Sequence, residues 1–443
     1  MTIHHPELAC PELIAGFQGL SEEFSEMSSL QIKYILSVLF FLLPMLLRAQ
    51  ENTYPRGEDL EIKLVTIGPG DDVPSWWGHT ALIVEDRRFK SSVFYNYGLF
   101  SFEEKNFFVN FAMGRLIFWV GAWKTSTALA YYVSINREIR MQVLNLSPLK
   151  KMEMAKFLAI NVRPENRAYL YDHYRDNCST RVRDLIDKII DGQFYSQMQG
   201  PGRYTYREHT RRHTDRSFMM DWLLMFLMSD VIDKPIRQWD DMFLPEDLSI
   251  YVQNLSYENK EGKRIPLVES AYTYYQAKNR SPLPEGVPVH WPTGLLLGFI
   301  FAALTVISAI CWQKNCRFAR QIFAGLHLVE GIIFGIPGFF LFFLSYFTDH
   351  KVTYGNENLL LANPLTLLFI PLAVGIFLQK RGFYRWAKIN SYTLALSGII
   401  LVPAKLLPAF DQQNTLSICL ILPVSLAMAF SWYYRLKNEV GIR

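Results

Sequence analysis

The feature of this sequence that most constrains its fold is a set of five long apolar segments in the C-terminal third. An apolar helix needs about 20 residues to cross the hydrocarbon core of a bilayer, and tilt or proline accommodates moderate departures from that length. We interpret the segments as an all-α bundle of five transmembrane helices, at residues 293–312, 322–347, 363–378, 391–408 and 415–434.

Basic residues are distributed unevenly between the loops that join these segments. The positive-inside rule assigns loops rich in Lys and Arg to the cytoplasm. Basic clusters follow the first, third and last segments, whereas the two intervening loops contain only Lys351 among Lys and Arg. Five spans then place the C-terminus in the cytoplasm and the domain of residues 50–290 on the outer side of the cytoplasmic (inner) membrane.

Residues 32–47 independently predict export. A Lys near the front, an apolar run and the small residue Ala49 fit a secretory signal. Met27 opens a more ordinary signal than Met1 does, and an uncleaved anchor helix is the alternative. Both interpretations put residue 50 onward outside the cytoplasm.

The chain therefore divides into three regions. Residues 1–49 form an N-terminal extension with the signal or anchor segment, residues 50–290 an extracytoplasmic domain, and residues 291–443 the five-helix transmembrane domain. A net charge of +4 is too weak to suggest a nucleic-acid partner.

Local patterns in the exported domain predict an α+β fold. Periodicity of two indicates strands, and apolar residues at helical spacing indicate helices. The predicted strands are 60–67, 79–85 and 93–97, and the predicted helices are 150–161 and 178–190. Asp176 and Asn177 are candidate caps of the second helix.

Residues 217–228 are very apolar but too short to span a bilayer. A buried helix is the simplest interpretation, and an interfacial helix or lipid-facing lid is the alternative. Residues 278–292, rich in Pro, Gly and basic residues, are typical of a linker.

The exported domain has a single cysteine among the five of the chain, Cys178. A lone thiol in an oxidising compartment is either buried and inert or reactive. Cys178 lies where a helix is predicted to begin, and the unpaired N–H groups and dipole there favour a thiolate nucleophile.

His79, at the start of a predicted strand, can accept the thiol proton and return it to a leaving group. Asn96, on the next predicted strand, can orient the imidazole. Cys178 and His79 are 99 residues apart, so their meeting is a prediction about the fold. A small buried thiol and a structural His are the alternatives. No metal site is predicted, because the remaining His residues of the domain lack a nearby second ligand pair.

Several short motifs resemble the N-terminal periplasmic domain of the bacterial lipoprotein N-acyltransferase family Lnb. They are residues 76–79 (Trp-Trp-Gly-His), 95–98 (Tyr-Asn-Tyr-Gly) and 176–180 (Asp-Asn-Cys-Ser-Thr). The loop 356–364 resembles the membrane half of that family. A His-bearing strand that precedes an Asn-Cys helix start also resembles the circularly permuted papain-like folds of the NlpC/P60 group.

This resemblance implies a papain-like, permuted NlpC/P60-like α+β domain and an enzyme. The reaction would move an acyl chain to the N-terminal amine of a lipoprotein, with Cys178 carrying it as a thioester and His79 acting as base, then acid. Diacylated lipoproteins and phospholipid are the implied partners, and no cofactor is implied.

The membrane region bears on the choice between this and other activities. A cell-wall cysteine peptidase or amidase would use the same dyad but needs at most one anchor, and a non-catalytic binding protein would not need the thiol. Ionisable groups inside a span are costly and often functional, which draws attention to His327 and Glu330. The residues expected to bind substrate are Trp77, Asn177, Thr180, Arg175, His327, Glu330 and Asn358.

Overall fold

The computed structural model describes residues 56–101 and 106–440, except for the side chains of 436–440, and isolated positions before residue 41. Most of the segments 1–49 and 32–47, predicted as extension and signal, therefore lies outside the described residues. The chain divides at residue 57 into two units, and all elements below belong to the second unit.

The strands of the described residues are β1 (Leu60–Ile67), β2 (His79–Asp86), β3 (Ser91–Leu99), β4 (Ile117–Lys124), β5 (Ile139–Leu144), β6 (Ala168–Leu170), β7 (Ser256–Glu258), β8 (Arg264–Pro266) and β9 (Val268–Tyr275). The helices that precede residue 290 are α1 (Phe107–Ala112), α2 (Thr125–Ser134), α3 (Pro148–Asn161), α4 (Cys178–Ile189), α5 (Gln193–Gln197), α6 (Tyr206–Thr214), α7 (Phe218–Leu227), α8 (Gln238–Asp241) and α9 (Pro245–Asn254).

Seven of these strands form one antiparallel sheet in the order β6-β4-β3-β2-β1-β5-β9, and β7 pairs with β8 separately. The predicted strand 60–67 has the bounds of β1, and the predictions 79–85 and 93–97 fall inside β2 and β3. In this register Ile67 of β1 pairs with His79, and Ala81 pairs with Asn96 of β3. The start of β2 and the middle of β3 thus lie side by side.

Helices cover both faces of the sheet, so the exported region is an α+β domain. On one face α3, α4 and α9 pack on Ile62, Leu64 and Leu82. The predicted apolar stripe of α4 is confirmed, because Val182, Leu185, Ile186 and Ile189 are all buried there. On the other face α2 packs against Val65, Ile83 and Phe94.

The C-terminal region is helical. Its helices are α10 (Trp291–Gln313), α11 (Ala319–Glu330), α12 (Ile336–Phe347), α13 (Pro364–Leu367), α14 (Phe369–Phe377), α15 (Arg381–Ala404) and α16 (Thr415–Val440). A π-helical turn at Gly331–Gly335 joins α11 to α12.

Among the described residues, three helical stretches are long and apolar enough to cross a membrane: Trp291–Gln313, Ala319–Phe347 and Thr415–Arg435. The stretch Pro364–Phe377 is apolar but shorter, and α15 begins with several basic residues. A membrane-spanning region is therefore supported, and the number of five spans stays a prediction.

Helix α7 joins the α+β domain to the membrane region. Trp222 and Phe226 are buried in one core with residues of α12, α15 and α16, and the Trp222 ring lies 5.8 Å from that of Phe334. The carbonyl of Phe226 accepts hydrogen bonds from Nδ2 of Asn356 at 3.0 Å and of Asn358 at 2.9 Å. The buried-helix interpretation of 217–228 is thus confirmed for the face of α7 that carries Trp222 and Phe226.

We expect Trp222→Ala to lower the free energy of unfolding by about 3–5 kcal/mol, because it leaves a cavity in a core shared by both regions. Met219→Ala is the matched control, since Met219 is 54 % exposed on the same helix and should change stability by no more than about 0.5 kcal/mol. Thermal unfolding of the purified variants in detergent measures both. Equal effects would contradict the packing role of Trp222.

Candidate functional site

The candidate nucleophile is the first residue of helix α4, held there by a reciprocal cap. Asn177 is the N-cap, and its Oδ1 accepts from the backbone N–H of Ser179 at 2.8 Å and of Thr180 at 3.0 Å. Thr180 Oγ1 in turn accepts from the Asn177 backbone N–H at 2.8 Å. The predicted cap at Asn177 is confirmed. It fixes Cys178 in the first turn of the helix, where backbone N–H groups have no partner within the helix.

The start of α4 packs directly on the start of β2. Thr80 and Ser179 are buried, and their hydroxyls are hydrogen-bonded at 2.7 Å although 99 residues separate them. The N–H group of Thr80 also lowers the pKa of the Cys178 thiol, so Thr80 lies close to the sulfur. Cys178 is therefore adjacent to the residue that follows His79.

Glycine at position 98 allows β3 to approach the thiol. Gly98 has φ of +85°, and a Cβ added there would lie 3.7 Å from Cβ of Cys178 and 3.9 Å from the hydroxyl of Tyr169. The left-handed backbone favours glycine because an L side chain is strained in it. Cys178 thus lies between the start of β2 and this glycine of β3.

His79 is oriented by Asn96. The Nε2–H of His79 donates to Oδ1 of Asn96 at 2.5 Å, and Asn96 is 2 % exposed on the neighbouring strand. Because a carbonyl oxygen can only accept, the hydrogen lies on Nε2, and Nδ1 is the basic nitrogen of the neutral ring. The three predicted catalytic residues thus lie at one end of the sheet, and their roles remain predictions.

Burial sets the charge state of the thiol and the imidazole. It lowers the pKa of His79 to about 4, and the charge of Arg137 acts in the same direction. Burial also raises the pKa of the Cys178 thiol, although the N–H groups of Thr80 and Ser179 and the charge of Arg137 oppose this shift. At neutral pH the resting site therefore holds a thiol and a neutral imidazole, the state in which a histidine can accept a proton.

Two residues near this site were not found by sequence reasoning. Arg137 follows α2, is 6 % exposed, and donates from Nε to the carbonyl of Gly68 at 2.8 Å. Tyr169, on β6, is buried, and its hydroxyl has no hydrogen-bond partner among the described residues. Neither residue belongs to a local motif. A lone Arg is ordinarily a surface residue and a lone Tyr a core residue, so sequence reasoning did not single them out.

The four predicted substrate-binding residues of this domain have different surroundings. The ring of Trp77 lies 5.0 Å from that of His173, and its Nε1 has no partner among the described residues. Arg175 is exposed, which leaves it available to solvent or ligand. The side chains of Asn177 and Thr180 are buried and engaged in the cap of α4.

Among the three predicted residues of the membrane region, His327 and Asn358 are hydrogen-bonded to residues other than Cys178. His327 donates from Nδ1 to the carbonyl of Phe323 at 3.0 Å and accepts from Nε1 of Trp432 at 3.1 Å, so both ring nitrogens are satisfied. Glu330 is 1 % exposed, and its Oε2 has no partner among the described residues. Asn358 is buried and joins its loop to α7 through the Phe226 carbonyl.

No group of three or more His, Cys, Asp or Glu side chains in the described part of the chain is arranged to hold a metal ion. His209, one of the scattered histidines, is paired with Asp241 at 2.8 Å. His213 donates from Nδ1 to the carbonyl of His209 at 2.8 Å. These contacts give His209 and His213 structural partners within the domain.

Together, fold and site define a membrane protein whose α+β domain carries a cysteine, a histidine and an asparagine at one end of an antiparallel sheet. Comparison with protein families agrees with this class. Residues 51–212 match the Lnb N-terminal periplasmic domain, and residues 290–439 match the Lnb transmembrane domain. The chain belongs to the Lnb family. No curated protein and no solved structure matches it.

The two matches also bear on location. A periplasmic domain joined to a transmembrane region indicates an inner-membrane protein. They follow the order of the motifs noted in the sequence, with the site residues Cys178, His79 and Asn96 all inside the first matched segment.

Burial holds the pKa of the Cys178 thiol above its ordinary value of 9.0. Because the thiolate is the reactive form, we expect the rate of Cys178 alkylation by iodoacetamide to be still rising at pH 9. The experiment uses protein in which the other four cysteines are replaced by Ser, with free glutathione as the reference thiol. A rate that reaches its plateau below pH 7 would instead indicate a resting thiolate–imidazolium pair.

Proposed function

We propose that this protein is a membrane-bound thiol acyltransferase that moves an acyl chain, through a thioester on Cys178, to the N-terminal amine of a bacterial lipoprotein. The observation that carries the proposal is the position of Cys178. It lies in the first turn of α4 and against the start of β2, where His79 is hydrogen-bonded to Asn96.

In the first step, Nδ1 of His79 takes the thiol proton as the sulfur attacks the ester carbonyl of the acyl donor. The bond between the carbonyl carbon and sulfur forms, the carbon–oxygen bond of the ester breaks, and the imidazolium returns the proton to the leaving alcohol. The low pKa of His79 makes its imidazolium a strong acid for this return.

In the second step, the lipoprotein amine attacks the thioester. The carbon–nitrogen bond forms, the carbon–sulfur bond breaks, and the proton lost by the amine is returned to the sulfur through His79. Two steps of moderate difficulty thus replace a direct ester-to-amide exchange. No step requires a cofactor.

Contacts between the two regions support a substrate that is itself in the bilayer. The α+β domain shares a hydrophobic core with the membrane helices through Trp222 and Phe226. It is also hydrogen-bonded to the loop that contains Asn356 and Asn358. A cell-wall peptidase acts on a substrate outside the bilayer and does not require such an interface with membrane helices. Membership of the Lnb family favours the lipoprotein substrate.

We expect Cys178→Ser to abolish N-acylation of lipoproteins, because the serine hydroxyl is a far weaker nucleophile beside a neutral His than a thiol is. Mass spectrometry of the N-terminal lipopeptides from cells that carry each variant measures the added chain. Cys316→Ser is the matched control, since Cys316 is an exposed free cysteine outside the α+β domain.

An N-acyl chain that persists in the Cys178→Ser cells would contradict the proposal for this substrate. Digestion of muropeptides by the wild-type protein would then be measured, since a cell-wall peptidase with the same dyad cleaves them without lipid.

We expect Asn96→Ala to lower the acylation rate of Cys178 by about 10²-fold or more, because a base that is no longer oriented transfers protons poorly. Asn96→Asp keeps an acceptor oxygen and should retain more activity than Asn96→Ala. The pH dependence of the rate should also shift in both variants, since the hydrogen bond from His79 stabilises the charged imidazolium. A purely structural role for Asn96 would lower the amount of folded protein and leave the pH profile unchanged.

A further inference from the structure

The short helix α1 has an apolar face on the surface of the α+β domain. Phe108 is 71 % exposed, Val109 is 61 % exposed and Phe111 is 53 % exposed, and we call these three side chains the α1 face. The helix contains no charged residue. A group of large apolar side chains exposed on a folded domain marks a surface that contacts a partner or a membrane.

The C-terminal end of α1 is joined to the end of a membrane-spanning helix. Asp349 follows α12 closely in the chain, and its backbone N–H donates to the carbonyl of Met113 at 2.9 Å. Arg115 donates from Nε to Oδ2 of the same Asp349 at 2.8 Å. Helix α12 belongs to the stretch Ala319–Phe347, which is long and apolar enough to cross a membrane. Helix α1 therefore lies at the level where this span leaves the bilayer.

The surroundings of α1 indicate that lipid is what covers its apolar face. The nearby end of α12 has its own exposed aromatic side chains, since Tyr346 is 67 % and Phe347 is 59 % exposed, and apolar side chains exposed on a membrane span face lipid. The pair of Arg115 and Asp349 is also exposed and adds a charged edge beside the apolar face. An apolar face next to charged residues is typical of a helix that lies in a membrane interface.

We propose that α1 is a membrane-docking element of the α+β domain, with Phe108, Val109 and Phe111 inserted into the outer leaflet of the inner membrane. This inference goes beyond the proposed function, because it concerns a lipid-binding surface and not the reaction at Cys178. The apolar face of such a helix lies about 5–10 Å into the boundary between headgroups and acyl chains. The domain then has two attachments to the membrane region, the core that α7 shares with the membrane helices and α1, and two attachments fix its orientation.

A row of aromatic contacts connects α1 to the part of the domain that contains Cys178. The buried Phe107 of α1 stacks on Phe100 at 6.0 Å, and Phe100 stacks on Phe118 of β4 at 5.0 Å. Phe118 in turn stacks on Tyr171 at 4.2 Å, in the segment between β6 and α4. Docking of α1 therefore holds this part of the domain beside the leaflet.

The test measures the depth of a nitroxide label on the full-length protein in phosphatidylglycerol–phosphatidylethanolamine vesicles. All five cysteines are replaced by Ser, and Val109→Cys carries the label. Electron paramagnetic resonance compares its collisions with oxygen, which concentrates in hydrocarbon, and with a nickel chelate, which stays in water. We expect the label to lie about 5–10 Å inside the headgroup boundary.

Leu149→Cys is the matched control, because Leu149 is 58 % exposed on α3, a helix that packs on the sheet. A label there should collide with the nickel chelate as freely as a label in water. Phe108→Asp, added to the protein labelled at position 109, should raise collisions of that label with the chelate severalfold, because a carboxylate resists transfer out of water.

Equal access of the chelate to the labels at positions 109 and 149 would overturn the inference, because the α1 face would then lie in water. Shielding of the label at 109 from both oxygen and the chelate would also overturn it, because protein would then cover the face. Spectral broadening that disappears on dilution with unlabelled protein would identify that cover as a second copy of the chain. These measurements need no acyl transfer, so they decide the inference whether or not the proposed reaction at Cys178 is found.

Discussion

The site depends on one buried contact, the hydrogen bond between the hydroxyls of Thr80 and Ser179. It joins the second residue of β2 to the first turn of α4. His79 and Cys178 are thereby brought to the same end of the sheet. Closing a chain segment of this length costs entropy that grows slowly with length, and the apolar face of α4 packed on the sheet offsets it. If α4 slid or rotated on the sheet, the thiol would leave the strands that carry His79 and Asn96.

Burial then gives the site its chemical character. The same packing that brings the groups together removes water from them, so the thiol is harder to ionise and the imidazole harder to protonate. Arg137 favours the thiolate and disfavours the imidazolium, because it adds positive charge near both. A resting thiol beside a neutral base is suited to proton transfer during attack, and such a site is less exposed to side reactions than a standing thiolate.

The domain and the membrane region are one packed structure and not two bodies on a linker. Helix α7 contributes side chains to the core of the membrane helices, and the carbonyl of Phe226, at its C-terminal end, is satisfied by two amides from a loop of that region. Backbone groups buried without partners are costly, so Asn356 and Asn358 give this joint a fixed geometry. The Asn358 side chain therefore has a structural partner that its position in a polar loop did not suggest.

Local pattern alone determined a large part of this protein. Alternation predicted β1, β2 and β3, helical spacing predicted the buried face of α4, and the Asn-Cys sequence predicted a capped helix start, because each depends on residues close in the chain. The short motifs identified the Lnb family in the same way. Only the tertiary structure decided which distant elements meet: that α7 packs among membrane helices, that His327 is satisfied by Trp432, and that the buried Arg137 binds the carbonyl of Gly68. Such contacts join residues far apart in sequence and depend on the packing of the whole fold. Local periodicity contains no information about that packing, so it could not predict them.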